Sequence, residues 1–107
     1  MANVYIVEHP RNSIDTSKAK AFGDIKYLFD NDDRRCSAWD TELFGQTILR
    51  RLHELKYKPS EDCICIVGAM LIVVNSVVAI SQHYKAFNLL LFNAVENKYV
   101  LKTYKRE

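Results

Sequence analysis

The stretch DCICIVGAMLIVVNSVVAISQHYK, from Asp62 to Lys85, holds twenty-two consecutive residues without a formal charge between its two ends. Either it crosses a membrane or it supplies a buried strand and helix to a soluble domain. A span needs about 20 predominantly apolar residues in one continuous helix. Here CICIV is short and β-branched, and Gly68 follows at once, the punctuation of a buried strand entering a turn. Asn75, Ser76, Ser81, Gln82 and His83 make the second half too polar for lipid. The stretch therefore predicts a strand over 63–67, a turn, and a helix from about 70 to 84, with no membrane partner.

Outward from this unit, the chain alternates. NVYIVEH (3–9) predicts a strand, and SIDTSKAKAFG (13–23) has the start and stop chemistry of a short helix. IKYLFD (25–30) predicts a second strand, and NDDRRCSA (31–38) a polar loop. Asp40 or Thr41 can cap a helix in which Phe44, Ile48, Leu52 and Leu55 recur at helical spacing, ended by Tyr57, Lys58, Pro59 and Ser60. FNLLLFN (87–93) and KYVLKTY (98–104) predict two more strands, joined by a connection short enough for an antiparallel hairpin.

The strands separated by helical segments are expected to be parallel, because each crossover is long enough to return the chain to the same end. CICIV and NLLLF lack polar alternation, as central strands covered on both faces do, whereas YVLKTY alternates and ends in charge, as an edge does. The expectation is a small Rossmann-like three-layer α/β domain spanning 1–107. Its mostly parallel five-stranded sheet has the order 2-1-3-4-5 and an antiparallel C-terminal edge hairpin. The helix MLIVVNSVVAISQHY is apolar almost all round its first three turns, so one face packs on the sheet and another on a neighbouring helix or a second copy. A homodimer is expected.

Composition narrows the function classes. The chain has 107 residues, 49% of them hydrophobic, which suits one core. Fifteen lysines and arginines against thirteen acids give a net charge of only +2, too weak to mark a duplex-DNA binder by bulk electrostatics. Three cysteines, two of them in an apolar run and Cys36 in a polar loop, do not form a disulfide framework and suit a reducing, cytoplasmic compartment. MANVYIVEHP has neither a basic leader nor a cleavage pattern, and reads as a first strand rather than a secretion signal.

Ligands of open parallel sheets bind beyond the carboxyl ends of the strands, near the point where strand order reverses. Those ends are Glu8 to Ser13, Asp30 to Asp32, Gly68 and Ala69, and Asn93. The candidate mouth comprises His9, Arg11, Asn12, Gly68 and Asn93, with Arg11 suited to an anion and Gly68 leading into a helix N-terminus that can receive a phosphate. Against it, one glycine without G-x-G spacing or a P-loop lysine is a weak signal, and a structural turn explains Gly68 as well. Glu8 and His9 point to opposite faces of a strand, which argues against a cooperating acid–base pair.

Asn75 among valines requires a hydrogen-bond partner, which is a backbone carbonyl, the same residue of a second chain, or a ligand. Cys63 and Cys65 share one face of a strand, but no second pair completes a zinc site, and His53 and His83 lie on separate helices. No G-x-S-x-G or H-E-x-x-H signature occurs, and neither a cofactor nor a metal is expected.

Two further surfaces compete for a macromolecular partner. Asp32, Asp33, Arg34, Arg35 and Trp39 form a loop rich in the residue types that anchor protein interfaces, although core packing explains Trp39 equally well. Lys98, Lys102, Lys105 and Arg106, interleaved with Tyr99 and Tyr104, combine the charge and rings that bind single-stranded nucleic acid. Lysines on an edge strand also prevent edge-to-edge pairing, and that protective reading is the favoured one.

Asp15-x-Ser17-x-Ala19-x-x-Phe22-Gly23, a following strand with Tyr27-Leu28, Gly68 with Asn75 seven residues on, and Asn88-Leu89-Leu90-Leu91-Phe92 with a tyrosine in the next strand resemble small single-domain Rossmann-like α/β proteins encoded by tailed bacteriophages. The resemblance rests on core and turn residues and implies no activity. It implies a host-takeover or anti-defence factor that occupies a partner or sequesters a small molecule. The reading carried forward is thus a non-enzymatic protein that binds a host protein in the host cytoplasm through Asp32, Asp33, Arg34, Arg35 and Trp39. The competing reading is a nucleotide-binding domain, a sponge or a phosphate-chemistry enzyme, that uses the mouth at the strand ends.

Overall fold

The computed structural model describes residues 2–8, 17–29, 41–67 and 70–106. The uncharged stretch divides as its chemistry requires, into a strand, β3 (Cys63–Ile66), and a helix, α2 (Met70–His83). Among the described residues no helix is long and apolar enough to cross a membrane. The other strands are β1 (Asn3–Glu8), β2 (Asp24–Phe29), β4 (Ala86–Asn93) and β5 (Lys98–Lys105), and the other α-helix is α1 (Thr41–Glu54).

The sheet order is β2-β1-β3-β4-β5, as expected. β1 pairs in parallel with β2 and β3, and β3 in parallel with β4. β5 runs antiparallel to β4 from Ala86 opposite Lys105 to Asn93 opposite Lys98. Asn97, in the left-handed region at φ 54°, makes the tight return of this hairpin, a conformation asparagine tolerates better than most residues.

Strand alternation sorts the core into two layers. Tyr5, Val7, Ile64, Phe87 and Leu89 point to the face covered by both α-helices, where Phe44, Ile48 and Leu52 of α1 and Ile72 and Ile80 of α2 meet them. Val4, Ile6, Cys63, Cys65 and Leu90 point to the opposite face, where they meet Ala19. That alanine belongs to a 3-10 helix, Ser17–Phe22, which stands where a short helix over 13–23 was expected; residues 13–16 lie outside the described ones. The six-residue element is short enough for the tighter geometry.

α1 stops at Glu54, just before the expected Tyr57 to Ser60 boundary. Lys56 takes a left-handed conformation at φ 61°, while Tyr57 N–H donates to the Leu52 carbonyl at 2.9 Å and Lys56 N–H to the His53 carbonyl at 3.1 Å. This is the hydrogen-bond pattern that satisfies orphan carbonyls at a helix end, built here without glycine. Thr41 is the first helical residue, and the alternative cap Asp40 lies outside the described residues.

A buried carboxylate fixes the opposite end of the sheet. Asp62 is 2% exposed, and its two oxygens accept the backbone N–H of Asn3 and that of Lys58, each at 2.8 Å. Asn88 of β4 donates to the carbonyls of Pro59 and Asp62 and accepts from the Thr103 hydroxyl of β5. The start of β1, the turn before β3, and the β4–β5 pair are thereby tied together.

Candidate functional site

Two small residues set the geometry of the helical layer. A Cβ built on Gly45 of α1 would lie 3.3 Å from the Ala79 Cβ of α2, so the two helices come close here and leave a groove above the contact. The groove encloses about 400 Å³, with Gly45 and Ala79 lining its floor. Glu42, Gln46 and Leu49 form the α1 wall, and Asn75, Val78, Gln82 and His83 the α2 wall. Its polar groups therefore lie along the rims and ends, with aliphatic carbon at the centre.

The apolar surface extends beyond the groove. Sequence periodicity made α2 apolar on every side, and the fold does not cover all of it. Ile72, Ala79 and Ile80 are buried, whereas Met70 (81% exposed), Val74 (50%) and Val78 (46%) form an exposed row at i, i+4 and i+8. Leu43, in the first turn of α1, is 46% exposed. Exposed apolar residues gathered in this way on one face mark a contact surface, whereas scattered single ones do not.

Asn75 is half-buried on the groove wall, short of the full burial expected among its valines. The fully buried polar residue of α2 is its neighbour Ser76, whose hydroxyl donates to the Ile72 carbonyl at 2.7 Å. One step of 100° around the helix separates the two environments.

Of the expected mouth, Asn93 is described and His9, Arg11, Asn12 and Gly68 lie outside the described residues. Asn93 ends β4, and its side-chain oxygen accepts the backbone N–H groups of Val95 and Glu96 at 3.1 and 3.2 Å. It therefore caps the β4–β5 turn, a task the sequence reading did not assign to it. The strand order reverses between β1 and β3, which places the switch point between the ends of these two strands. The loop candidates Asp32, Asp33, Arg34, Arg35 and Trp39 also lie outside the described residues, in the segment that leads into Thr41 and α1.

The basic C-terminal strand is less available for base stacking than its sequence suggested. Tyr99 is only 6% exposed and packs against Phe92, while Tyr104 stacks on Phe87 with ring centroids 5.9 Å apart. Arg106 donates to the Ser81 and Gln82 carbonyls at the end of α2, and Lys98 pairs with Glu96 at 2.7 Å. These contacts give two of the four cations structural duties.

Cys63 and Cys65 share the strand face expected of them, and both are free thiols. Burial pushes the Cys63 thiol up to about 11 and the Cys65 thiol up to about 12, so neither is a ready nucleophile. Among the described residues no group of three or more His, Cys, Asp or Glu side chains is placed to hold a metal.

The groove itself escaped the sequence reading. Its signal was Gly45, a helix-interior glycine without a capping role, which is the mark of close backbone approach. Recognising Ala79 as its counterpart required the packing of α1 on α2.

Residues 2–105 match the model of a family described as phage Pam3 gp32-like protein. The chain belongs to that family and is a phage-encoded protein. No curated protein and no solved structure matches it.

Proposed function

We propose that this phage-encoded chain is a non-enzymatic binding protein that acts in the host cytoplasm by occupying a host protein. The observation that carries the reading is the exposed apolar surface of Leu43 and Met70. Each lies in the first turn of its helix, at the sheet end that the parallel strands run toward. Asp32, Asp33, Arg34, Arg35 and Trp39 lie outside the described residues and precede α1 in the sequence. Exposed apolar side chains, and the arginines and tryptophan that the preceding sequence supplies, are the residue types that anchor protein interfaces.

The test is affinity capture from host cells with the intact chain and with two variants. One carries Arg34→Glu, Arg35→Glu and Trp39→Ala; the other is Met70→Glu. The expected result is a stoichiometric host protein on the wild type that is lost on both folded variants. Unchanged capture by both would overturn the proposal.

One observation favours a second reading. The reversal of strand order between β1 and β3 is the place where open α/β sheets hold nucleotides. His9, Arg11 and Asn12 follow β1 in the chain and Gly68 follows β3, whereas Asn93 has its side-chain oxygen committed to the hairpin turn. A nucleotide that binds only the folded state raises the melting temperature. A thermal-shift series with mono-, di- and cyclic nucleotides therefore separates the two readings, since the host-binding protein predicts no shift.

A further inference from the structure

The α1–α2 groove and the row of valines beside it are the two halves of a self-complementary contact. Val74 and Val78 project as knobs, and Gly45 and Ala79 line a recess of about 400 Å³ on the same face of the same chain. A two-fold interface requires this arrangement, because one patch must both supply and receive the contact. We propose that two copies of this chain associate about a two-fold axis through this groove, with α2 of one protomer laid antiparallel across α1 of its partner. This contact runs along the helices and reaches the first turn of α1, where Glu42 adjoins Leu43.

Charge specifies the occupant and its direction. From Met70 to Gln82, α2 carries no charged side chain, so antiparallel pairing along its length brings no like charges together. The ionisable groups of the groove stand at its two ends. Glu42 lies where α1 begins, and His83 where α2 finishes, with both residues exposed. The helices run in the same direction, because each returns the chain between parallel strands. A two-fold axis across the middle of the groove therefore sets Glu42 of one protomer against His83 of its partner, twice. The imidazole has an N–H to donate in either protonation state, and the carboxylate accepts it. A two-fold axis along the groove would instead gather both Glu42 carboxylates at one end and both His83 imidazoles at the other, without the cross-pair.

Sedimentation velocity on the intact chain over a concentration series tests the proposal, with circular dichroism and melting temperature as the folding controls. The wild type is expected to sediment as a dimer. Val78→Asp is expected to sediment as a folded monomer, since a half-exposed valine contributes little to the core. Glu42→Lys and His83→Glu are each expected to weaken the dimer roughly tenfold by loss of the cross-pair, and the double exchange to restore it. A wild type that stays monomeric at millimolar concentration would overturn the proposal, as would a Val78→Asp dimer of unchanged strength. A double exchange no tighter than its parents would overturn the antiparallel arrangement.

Discussion

Asp62 contributes to the fold out of proportion to its size. Its carboxylate is buried and accepts two backbone N–H groups, one from a residue fifty-nine positions away. Asp62→Ala leaves both donors without that acceptor, and the expected loss is about 3 kcal/mol of unfolding free energy in urea titration. Asp62→Asn retains one acceptor and loses less. The two cysteines make a different prediction. Their thiols ordinarily ionise near 9.0, and burial raises them to about 11 and about 12. Above pH 9 the unfolded chain therefore releases protons that the folded chain retains, and stability falls as pH rises toward 12. Below pH 9 both states hold these protons, and the thiols add no pH dependence. The midpoint of urea unfolding should thus fall less steeply with alkali in Cys63→Ala/Cys65→Ala than in the wild type. An identical slope would contradict the raised thiols. The sharing of one strand face by Cys63 and Cys65 was legible from their spacing alone. The partners of Asp62 were not, because a long-range hydrogen bond leaves no local pattern.

At the scale of elements, the strands and their order followed from patterns that local chemistry writes into a sequence. CICIV and LLL reported burial on both faces, and the short link from Ala94 to Asn97 reported the hairpin. The end of α1 was less legible, because Lys56 occupies a left-handed position that glycine fills more comfortably. Lys56→Gly relieves that conformation while keeping the backbone hydrogen bonds, so it is expected to stabilise the protein by about 1 kcal/mol. A decrease in melting temperature would show that the Lys56 side chain supplies something the backbone geometry does not. Gly23 makes the opposite prediction. Its φ of 152° is one that side chains rarely adopt, and a Cβ there would overlap the Ala2 carbonyl. Gly23→Ala should cost about 2 kcal/mol or displace the start of β1. The apolar circumference of α2 announced two contacts, but periodicity could not tell which residues would remain exposed after packing. That division, with Val74 and Val78 outside and Ile72 and Ile80 inside, depends on how α2 lies on the sheet.

For the whole molecule, two surfaces follow from one design. A parallel sheet with both α-helices on one face begins those helices at the same end, which exposes Leu43 and Met70 together. The close contact at Gly45 and Ala79 opens the groove along their length. The loop from Asp32 to Trp39 was conspicuous in sequence because charge and tryptophan are concentrated there, and the groove was inconspicuous because glycine and alanine form its floor. In the proposed two-fold dimer the ends that carry Leu43 and Met70 lie at opposite extremities of the shared groove, so two copies of the proposed host-binding end are presented. Native mass spectrometry of the intact protein, isolated gently from infected host cells, tests both surfaces at once because one spectrum reports copy number, protein partners and retained small molecules. Two copies of the chain with a host protein bound and no small ligand are expected. A chain that carries a nucleotide and no protein partner would contradict that expectation.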